Sequence, residues 1–558
     1  MRVLGVNALF HDPSAALVVD GRVVAAAEEE RFSRRKHGKR PLPFAAWELP
    51  EKAMAWCLEE GGLRPQDLDA VAYSFDPALA KPAEEMGLPD PWDWLRVQYA
   101  ERAPQFLATA LPGLSPSTVR FVPHEVAHAA SAALASPFPV ASVLSLDGRG
   151  ERSSHLAGRY DHGRLEVLAS QELPHSLGLV YESLTEHLGF LRSSDEYKVM
   201  ALASYGEPRF LDDLREVLYA TGDGGFVAEV PDWERWAPRR TDDGTWGTAH
   251  GGRAEHADLA ASVQARLEEV LVDLATWLHG QTGDRVLTMA GGTALNCVAN
   301  SRVWRESPFE EVWVQPAAGD SGTALGAALQ LAAEAGDTVE PMGSAALGRA
   351  WGDEALARWL RTAQVPFTTP DGLPGGVGRI LADNGVVAWF DGRAELGPRA
   401  LGHRSLLAHP GPVENLERLN DVKGREQFRP VAPMVLLEDA AEIFSGGPVP
   451  SPYMLFVHEV APAWRDRIAA VVHVDGTARI QTVDDSTPRL QATIRAFKEL
   501  TGLPVVVNTS LNTAGRPMVD DPRDALELFG SAPVDALVLG PHLVRRPDVF
   551  AAPSGATA

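Results

Sequence analysis

The sequence predicts an α/β protein in which one supersecondary unit occurs twice and a module of different character follows. In residues 3 to 27, three apolar strand-like runs are joined by a polar turn and by an Asp20-Gly21 hairpin turn. Residues 143 to 169 repeat the order of strand, turn, strand, tight turn and strand. Amphipathic helices follow each copy, which is the pattern of a duplicated fold, although two unrelated β meanders would share this strand order.

Two such halves that face one another form the duplicated ribonuclease H-like architecture of acetate and sugar kinases and of actin, in which a nucleotide lies between the halves. The later elements fit this interpretation. An apolar helical stripe from Leu259 to Leu278 precedes a strand, Val286 to Met289, that runs into Gly291-Gly292. Another strand, Val312 to Val314, leads to the glycine-flanked Asp320. A strand followed by glycines and a helix start lets backbone amides approach a nucleotide closely.

Composition and charge exclude several classes of function for this chain. The chain has 558 residues, 45% hydrophobic and 23% charged, which is enough for several globular domains. A formal charge of −24 disfavours nucleic acid and anionic lipid as partners. No run of 18 apolar residues occurs, and Cys57 and Cys297 provide no disulfide framework. We therefore expect a cytoplasmic enzyme that binds neither nucleic acid nor a membrane.

The domain organisation follows from a change in composition. We predict a metal- and nucleotide-binding domain over residues 1–345, a Gly- and Pro-rich linker with some helix over 346–375, and a second α/β domain over 376–558. In the second domain, basic residues stand beside glycine, proline or strand ends: Arg393, Arg399, Arg404, Lys423, Arg425, Arg429 and Arg479. In an acidic protein this placement indicates an anion site, because guanidinium groups bind phosphate and carboxylate oxygens in pairs.

Two histidines and two aspartates form a candidate metal centre. His124 and His128 follow a proline that can open a helix, and their i, i+4 spacing puts both imidazoles on one helix face. Asp147 and Asp320 each lie in a glycine-containing turn. If the four converge, their mixed imidazole and carboxylate set favours iron(II), manganese or zinc over calcium. Two helix histidines that bond to neighbouring groups would give the same spacing.

A larger set of motifs has a joint resemblance to one family. The motifs are Phe10-His-Asp-Pro-Ser-Ala-Ala16, the run from Glu28 to His37, His124-x-x-x-His128 with Asp147-Gly148, Glu196-Tyr-Lys-Val-Met-Ala-Leu-Ala-Ser-Tyr-Gly206, and C-terminal blocks that begin at Asp391, Asn420, His473 and Pro504. Over nearly its whole length the chain resembles the O-carbamoyltransferases of antibiotic biosynthesis and nodulation-factor modification. Members of that family look like fusions of two modules, one similar to the metalloprotein that puts threonylcarbamoyl on tRNA and one similar to YrdC.

The resemblance implies an ATP-dependent carbamoyl transfer in two steps. A YrdC-like C-terminal module would bind ATP, together with Mg²⁺, and carbamoyl phosphate, and would form carbamoyl-adenylate. The implied nucleotide contacts in this module are Lys423, Arg425, Ser510 and Asn512. The implied carbamoyl phosphate contacts are His37, Arg399, Arg429 and Arg479. The adenylate would then move to the first module, where a hydroxyl of a small-molecule natural product attacks the carbamoyl carbon and AMP leaves.

For the first module, the resemblance implies Fe(II) at the four ligands, His11 as the base that accepts the hydroxyl proton, and Asp12 as its partner. The implied nucleotide contacts are Gly148, Gly150, Lys198, Gly291, Gly292 and Asn296. Each of these glycines could also serve its turn alone. The enzyme would be a monomer or a homodimer.

Three other functions stay open. A nucleotide-switched binding protein would need neither His11 nor the arginine cluster. A small-molecule kinase of the acetate and sugar kinase superfamily would share the duplicated fold but would leave the arginine-rich module unexplained. A tRNA threonylcarbamoyl-type enzyme is the nearer rival, and both the acidic composition and the fusion to an adenylate-forming module disfavour it.

Overall fold

The chain forms two compact units. The computed structural model describes residues 1–38, 48–88, 90, 92–240 and 254–550, so the last eight residues of the predicted second domain lie outside the described part. The first unit comprises Met1–Leu347 and Leu396–Pro398, and the second comprises Gly348–Glu395 and Arg399–Ala558. Most of the segment treated above as a linker, from residue 348 onwards, therefore lies within the second unit.

The first half of unit one is a five-stranded sheet with helices. Its elements are β1 (Arg2–Asn7), β2 (Ser14–Val19), β3 (Arg22–Glu28), α1 (Glu29–Ser33), α2 (Glu51–Glu60), β4 (Ala70–Tyr73), α3 (Asp93–Ala110), β5 (Val119–Phe121) and α4 (His124–Ala133). The strand order is β3-β2-β1-β4-β5. The first three strands pair antiparallel, and β4 and β5 extend the sheet in parallel with β1.

The second half repeats this topology. Its elements are β6 (Val140–Leu146), β7 (Ser153–Asp161), β8 (Arg164–Glu172), α5 (Leu177–His187), α6 (Glu196–Ala203), α7 (Leu211–Arg215), β9 (Leu218–Ala220), β10 (Phe226–Ala228), α8 (Ala254–Thr282), β11 (Val286–Ala290), α9 (Cys297–Glu306), β12 (Glu311–Val314) and α10 (Thr323–Glu334). The order β8-β7-β6-β11-β12 matches the first sheet strand for strand, with the same parallel and antiparallel pairings. The predicted duplication is confirmed.

Small residues let the helices between the two sheets pack closely. A Cβ on Gly326 of α10 would lie 1.8 Å from the carbonyl oxygen of Ala127 on α4, and a Cβ on Gly5 of β1 would lie 1.8 Å from that of Ala324. Only glycine permits backbones to approach to this distance. The core around them is rich in alanine, so α4 and α10 are held against the sheet at short range.

Unit two is an α/β fold, as the sequence predicts. Its elements are α11 (Asp353–Thr362), α12 (Leu373–Ala382), β13 (Val387–Phe390), β14 (Arg404–Ala408), α13 (Glu414–Lys423), β15 (Ala432–Leu436), α14 (Leu437–Ile443), β16 (Phe444–Ser445), β17 (His458–Val460), α15 (Pro462–Arg465), β18 (Thr477–Ala478), β19 (Gln481–Val483), α16 (Pro488–Thr501), β20 (Val505–Ser510), α17 (Pro522–Ser531), β21 (Ala536–Leu539), β22 (His542–Arg545) and α18 (Arg546–Phe550). Seven strands form one sheet in the order β19-β15-β20-β14-β13-β21-β22. A separate cluster of buried apolar side chains fills this unit.

Candidate metal centre and histidine–aspartate cluster

Four buried side chains of unit one converge on a single point. His124 and His128 lie one turn apart at the start of α4, Asp147 directly follows β6, and Asp320 begins the short 3-10 turn before α10. One ligand atom from each residue lies within 4.8 Å of all the others. The sequence spacing predicted the shared helix face, and the structure brings both aspartates to it.

The distances in this cluster suit a divalent metal ion. The Nε2 atom of His124 lies 3.6 Å from both Asp147 Oδ2 and Asp320 Oδ1, and the Nε2 atom of His128 lies 3.8 and 3.5 Å from the Oδ1 atoms of the same aspartates. The two Nε2 atoms are 3.2 Å apart. Metal–ligand bonds of about 2.0–2.2 Å separate neighbouring ligands by roughly 3–3.5 Å, so these atoms fit around one ion.

Neighbouring backbone groups orient three of the four ligands. The Ser74 carbonyl lies 3.1 Å from His124 Nδ1, which holds a proton on Nδ1 and leaves Nε2 as the nitrogen that would bind a metal. The Gly292 amide donates to Asp147 Oδ1 over 2.8 Å, and the His11 amide donates to Asp320 Oδ2 over 3.1 Å. Such outer contacts orient ligands before a metal binds.

The charges in the cluster also favour a cation. Burial and the charge of Asp320 act to raise the pKa of Asp147, but His124 and His128 outweigh them and lower it. Burial acts in the same way on Asp320, and bonds and charges from the two imidazoles lower its pKa. Burial disfavours a charged His124, yet the two carboxylates raise its pKa well above the usual value. Two ionised, buried carboxylates therefore attract positive charge, which a divalent ion can supply.

A second cluster surrounds Asp12, in the turn between β1 and β2. His11 Nδ1 lies 2.8 Å from Asp12 Oδ2, and His37 Nδ1 lies 2.9 Å from Asp12 Oδ1. The other ring nitrogen of His37, Nε2, lies 2.7 Å from the Ser194 hydroxyl. Burial acts to raise the pKa of Asp12, but the charges and bonds of both imidazoles lower it well below its usual value.

The backbone of the Asp12 turn is held in an uncommon conformation. Phe10 and Asp12 have positive φ angles of 57° and 44°. The Asn7 side-chain amide donates to the carbonyls of His11 and Asp12, and the His11 amide contacts both the Leu9 carbonyl and Asp320. Strained backbone of this kind persists where the surroundings over-determine it, as at functional sites. The His11 turn is thereby tied to a candidate metal ligand.

Most of the nucleotide residues predicted in unit one have protein partners. The Gly291 amide donates to the Ala318 carbonyl, and the Gly292 amide donates to Asp147. The Asn296 side chain exchanges two hydrogen bonds with Gln264 and caps α9. These contacts explain why the residues are needed locally, and their contact with a nucleotide stays a prediction.

The remaining predicted nucleotide residues of unit one surround the Asp147 turn and α6. A Cβ on Gly150 would lie 3.2 Å from the Cβ of His124, and one on Gly148 would lie 3.3 Å from Glu182. Lys198 Nζ lies 2.9 Å from Asp195 and 5.5 Å from the centre of the Phe190 ring.

In unit two, three of the four predicted nucleotide residues lie together. Lys423 Nζ, at the end of α13, contacts the Ser510 hydroxyl at 2.9 Å and the Asn512 side-chain oxygen at 2.7 Å, as well as both backbone carbonyls. Arg425 instead contacts Asn420 at 2.6 Å and the Pro430 carbonyl. Lys423 therefore holds Ser510 and Asn512 together at the end of β20.

The residues predicted to bind carbamoyl phosphate do not all lie in one unit. Arg399, Arg429 and Arg479 are half-buried in loops of unit two, and Arg429 has Glu426 as a neighbour at 3.4 Å. His37 belongs to unit one and contacts Asp12.

Sequence reasoning missed a buried polar network that anchors the Arg399 loop. The Asn508 side-chain amide donates to the Ala400 carbonyl and to Gln481, and Gln481 donates to the Leu401 carbonyl. The Leu401 amide in turn donates to a buried glutamate, Glu395. Asn508 follows the apolar residues of β20 and Gln481 begins β19, and that position was the one available signal for these two residues. Ser194 was missed as well, because nothing in its sequence neighbourhood points to His37.

Comparison with known proteins identifies the family. A family described as carbamoyltransferase N-terminus matches residues 2–109 and 109–329, and one described as carbamoyltransferase C-terminus matches residues 378–546. The chain belongs to the carbamoyltransferase family. This carbamoyltransferase is 36% identical to nodulation protein NolNO of Sinorhizobium fredii, over 97% of this chain and 80% of that protein. It is 34% identical to an uncharacterized protein of Synechocystis sp., over 96% of this chain and 95% of that protein.

Other similarities are more distant. Nodulation protein U of Bradyrhizobium diazoefficiens is 33% identical to this carbamoyltransferase, over 94% of this chain and 95% of that protein. Among solved structures, T. kodakarensis HypF is 15% identical with a TM-score of 0.33, over 61% of this chain and 49% of that chain. A similarity at that TM-score supports no conclusion about function. Among the helices of the described residues, none has both the length and the apolar character needed to cross a membrane.

Proposed function

We propose that this carbamoyltransferase makes carbamoyl-adenylate from ATP and carbamoyl phosphate and transfers the carbamoyl group to a hydroxyl of a small-molecule natural product. The observation that carries the proposal is the contact between the His11 turn and Asp320, since it supports a base at His11 next to the proposed four-ligand metal site. Membership of the carbamoyltransferase family supplies the class of reaction.

The first step belongs to unit two. Carbamoyl phosphate and water yield phosphate and carbamate, and a carbamate oxygen then attacks the α-phosphorus of ATP, which releases pyrophosphate. Lys423, held between Ser510 and Asn512, supplies a point charge for the nucleotide phosphates. Forked donors for the phosphate of carbamoyl phosphate come from Arg399, Arg429 and Arg479. Arg425 contributes to binding of the nucleotide.

The second step belongs to unit one. The Asp12 carboxylate holds a proton on Nδ1 of His11, so Nε2 is the basic nitrogen that accepts the proton of the attacking hydroxyl. The hydroxyl oxygen forms a bond to the carbamoyl carbon, and the bond from that carbon to the adenylate oxygen breaks. AMP leaves with the electron pair, and the proton stays on His11.

His124, His128, Asp147 and Asp320 would hold a divalent ion. When bound, such an ion binds phosphate oxygens and stabilises the charge of a leaving phosphate. Two imidazoles and two carboxylates suit Fe(II), which is our first assignment, and also manganese or zinc. Gly148, Gly150, Lys198, Gly291, Gly292 and Asn296 would lie around the nucleotide of the adenylate.

The test separates the two steps. Purified protein is incubated with ATP and carbamoyl phosphate, first without and then with a panel of hydroxyl acceptors, and pyrophosphate, carbamoyl-adenylate and AMP are measured. We expect Lys423→Ala to lose adenylate formation, and His11→Asn to keep it while transfer falls about a hundredfold or more. Lys498→Ala, which removes a lysine paired with Asp439 elsewhere in unit two, is the control. Formation of ADP without pyrophosphate would instead favour a small-molecule kinase.

A further inference from the structure

Four side chains of unit one form a continuous hydrogen-bonded chain that the proposed chemistry uses only in part. The order is Ser194, His37, Asp12 and His11, with successive contacts of 2.7, 2.9 and 2.8 Å. The rings of His11 and His37 lie 4.4 Å apart between centres. Asp12 therefore binds one imidazole through each carboxylate oxygen.

The surroundings of His37 do not suit an anion. Its backbone amide donates to the Glu30 carboxylate over 2.7 Å, and its ring contacts Asp12. Lys36 also points to Glu30, at 3.5 Å. The Asp12 carboxylate at the ring and the Glu30 carboxylate at the backbone amide would repel carbamoyl phosphate, whereas a carboxylate at the ring attracts a donor.

We propose that His37 is a positioning residue for the transfer step, which holds Asp12 against His11, and that Ser194 orients His37. The inference rests on the proposed function, since it assumes that His11 accepts the proton of the acceptor. This positioning role takes the place of the carbamoyl phosphate contact that the resemblance implies for His37.

The hydrogen-bond chemistry explains the order of the chain. The Ser194 hydroxyl donates to Nε2 of His37, so the proton of the neutral ring lies on Nδ1 and is donated to Asp12. With one oxygen fixed by His37, the carboxylate cannot rotate away from His11. The ring of His11 then keeps Nε2 directed to the acceptor, in the way that a carboxylate orients a catalytic histidine elsewhere.

Backbone conformation supports a built arrangement. His37 has a φ of 59° and Ser193, next to Ser194, has a φ of 57°. Asp12 itself has a φ of 44°. Left-handed conformations are uncommon for residues other than glycine, and three of them at one cluster indicate that packing enforces these positions.

The test uses variants that tolerate the left-handed backbone at residue 37. His37→Gly removes the donor without backbone strain, and His37→Asn replaces it, because the asparagine amide reaches the position of Nδ1 and asparagine tolerates positive φ. We expect His37→Gly to lower kcat of carbamoyl transfer about 10- to 100-fold, as loss of an orienting partner does, with adenylate formation and the KM for carbamoyl phosphate unchanged. His37→Asn should recover most of the rate.

His162→Gly is the matched control. His162 also has a positive φ, of 49°, and pairs with Asp161 at 2.6 Å, but it lies exposed on the β7–β8 turn. The carbamoyl transfer rate of the His162→Gly variant should equal that of the wild type. Ser194→Ala tests the same positioning role without a substitution at residue 37. We expect it to lower kcat of carbamoyl transfer by less than His37→Gly does.

The outcomes separate this inference from the proposed function. A wild-type enzyme that forms no carbamoyl-adenylate would contradict the proposed function. A wild-type enzyme that completes both steps, together with a His37→Gly variant of undiminished kcat, would contradict only the positioning role. A raised KM for carbamoyl phosphate with slow adenylate formation in His37→Gly would return His37 to anion binding, and an equal loss in His37→Asn would also overturn the inference.

Discussion

At the scale of single residues, the role of a histidine depends on what each ring nitrogen meets. His124 directs Nδ1 to a backbone carbonyl and Nε2 to two carboxylates, which is the arrangement of a metal ligand. His155, also fully buried, has a backbone carbonyl at both nitrogens, and burial lowers its pKa. The two residues are equally buried, so it is the partners and not the burial that distinguish a candidate ligand from a core histidine.

This contrast yields a prediction on metal content. We expect His124→Ala to lower the metal content of protein reconstituted anaerobically with iron(II) at least tenfold, because the variant loses one of four ligands, an imidazole that the Ser74 carbonyl orients through Nδ1. Elemental analysis with Fe, Mn and Zn offered separately measures both stoichiometry and preference. His279→Ala, at the end of α8, is the control. Full metal content in His124→Ala would remove this residue from the ligand set.

At the scale of elements, the site depends on how closely α10 approaches α4. The spacing of His124 and His128 predicts that they share a face of α4, but it does not predict which loops meet that face. Asp320 lies three residues before the start of α10, and Gly326 in the first turn of α10 lets the two helix backbones come into contact, which brings Asp320 to that face. The glycine of α10 is thus a packing residue on which the geometry of the candidate metal centre depends.

We expect Gly326→Ala to destabilise unit one and to weaken its metal binding. The added Cβ would lie 1.8 Å from the carbonyl oxygen of Ala127, so α4 and α10 must move apart. Overpacking of this kind costs about 1–3 kcal/mol. Thermal unfolding and metal titration measure the two effects. Gly343→Ala is the matched control because a Cβ there meets nothing within 4 Å, and wild-type behaviour of Gly326→Ala in both assays would contradict the packing role.

At the scale of the whole molecule, the chain has two units with separate cores, and each unit contains its own candidate sites. The four candidate metal ligands and the Asp12 cluster belong to unit one, and the Lys423 cluster belongs to unit two. This division follows the two regions that the family comparison matches. His37 crosses the expected division, since the resemblance grouped it with arginines of unit two.

A buried carboxyl in unit one makes stability depend on pH. Burial raises the pKa of Glu29 from 4.5 to about 7, although the Ala53 amide donates to it. The folded protein thus binds the Glu29 proton more tightly than the unfolded chain does. The stability that the protonated carboxyl contributes is fully present below pH 4.5 and is lost as the pH rises through about 7. Glu29→Gln keeps the acceptor and removes this loss.

We expect Glu29→Gln to gain about 2–3 kcal/mol of stability relative to the wild type between about pH 5 and about pH 8. Denaturation curves of both proteins at the two pH values measure the change. The exposed Glu59 on α2 provides the control, and Glu59→Gln should follow the wild type. A constant difference between Glu29→Gln and the wild type at both pH values would contradict the raised pKa.

Properties that depend on neighbours in the chain could be predicted from the sequence. The repeated strands, the shared face of His124 and His128, and the candidate roles of Asp147 and Asp320 follow from periodicity, turns and motifs. The meeting of Lys423 with Ser510 and Asn512 was implied by a resemblance between motifs. In each case a local pattern or a family motif carries the information.

By itself, therefore, the sequence determined the duplicated α/β fold, the class of carbamoyl transfer through its family motifs, and the identity of the candidate ligands. Only the tertiary structure decided that His37 meets Asp12 and Ser194, that Asn508 and Gln481 anchor the Arg399 loop, and that Asp320 binds the His11 amide. These contacts join residues between 25 and 309 positions apart. No periodicity or turn signal extends across such separations, because the contacts arise from packing of whole elements.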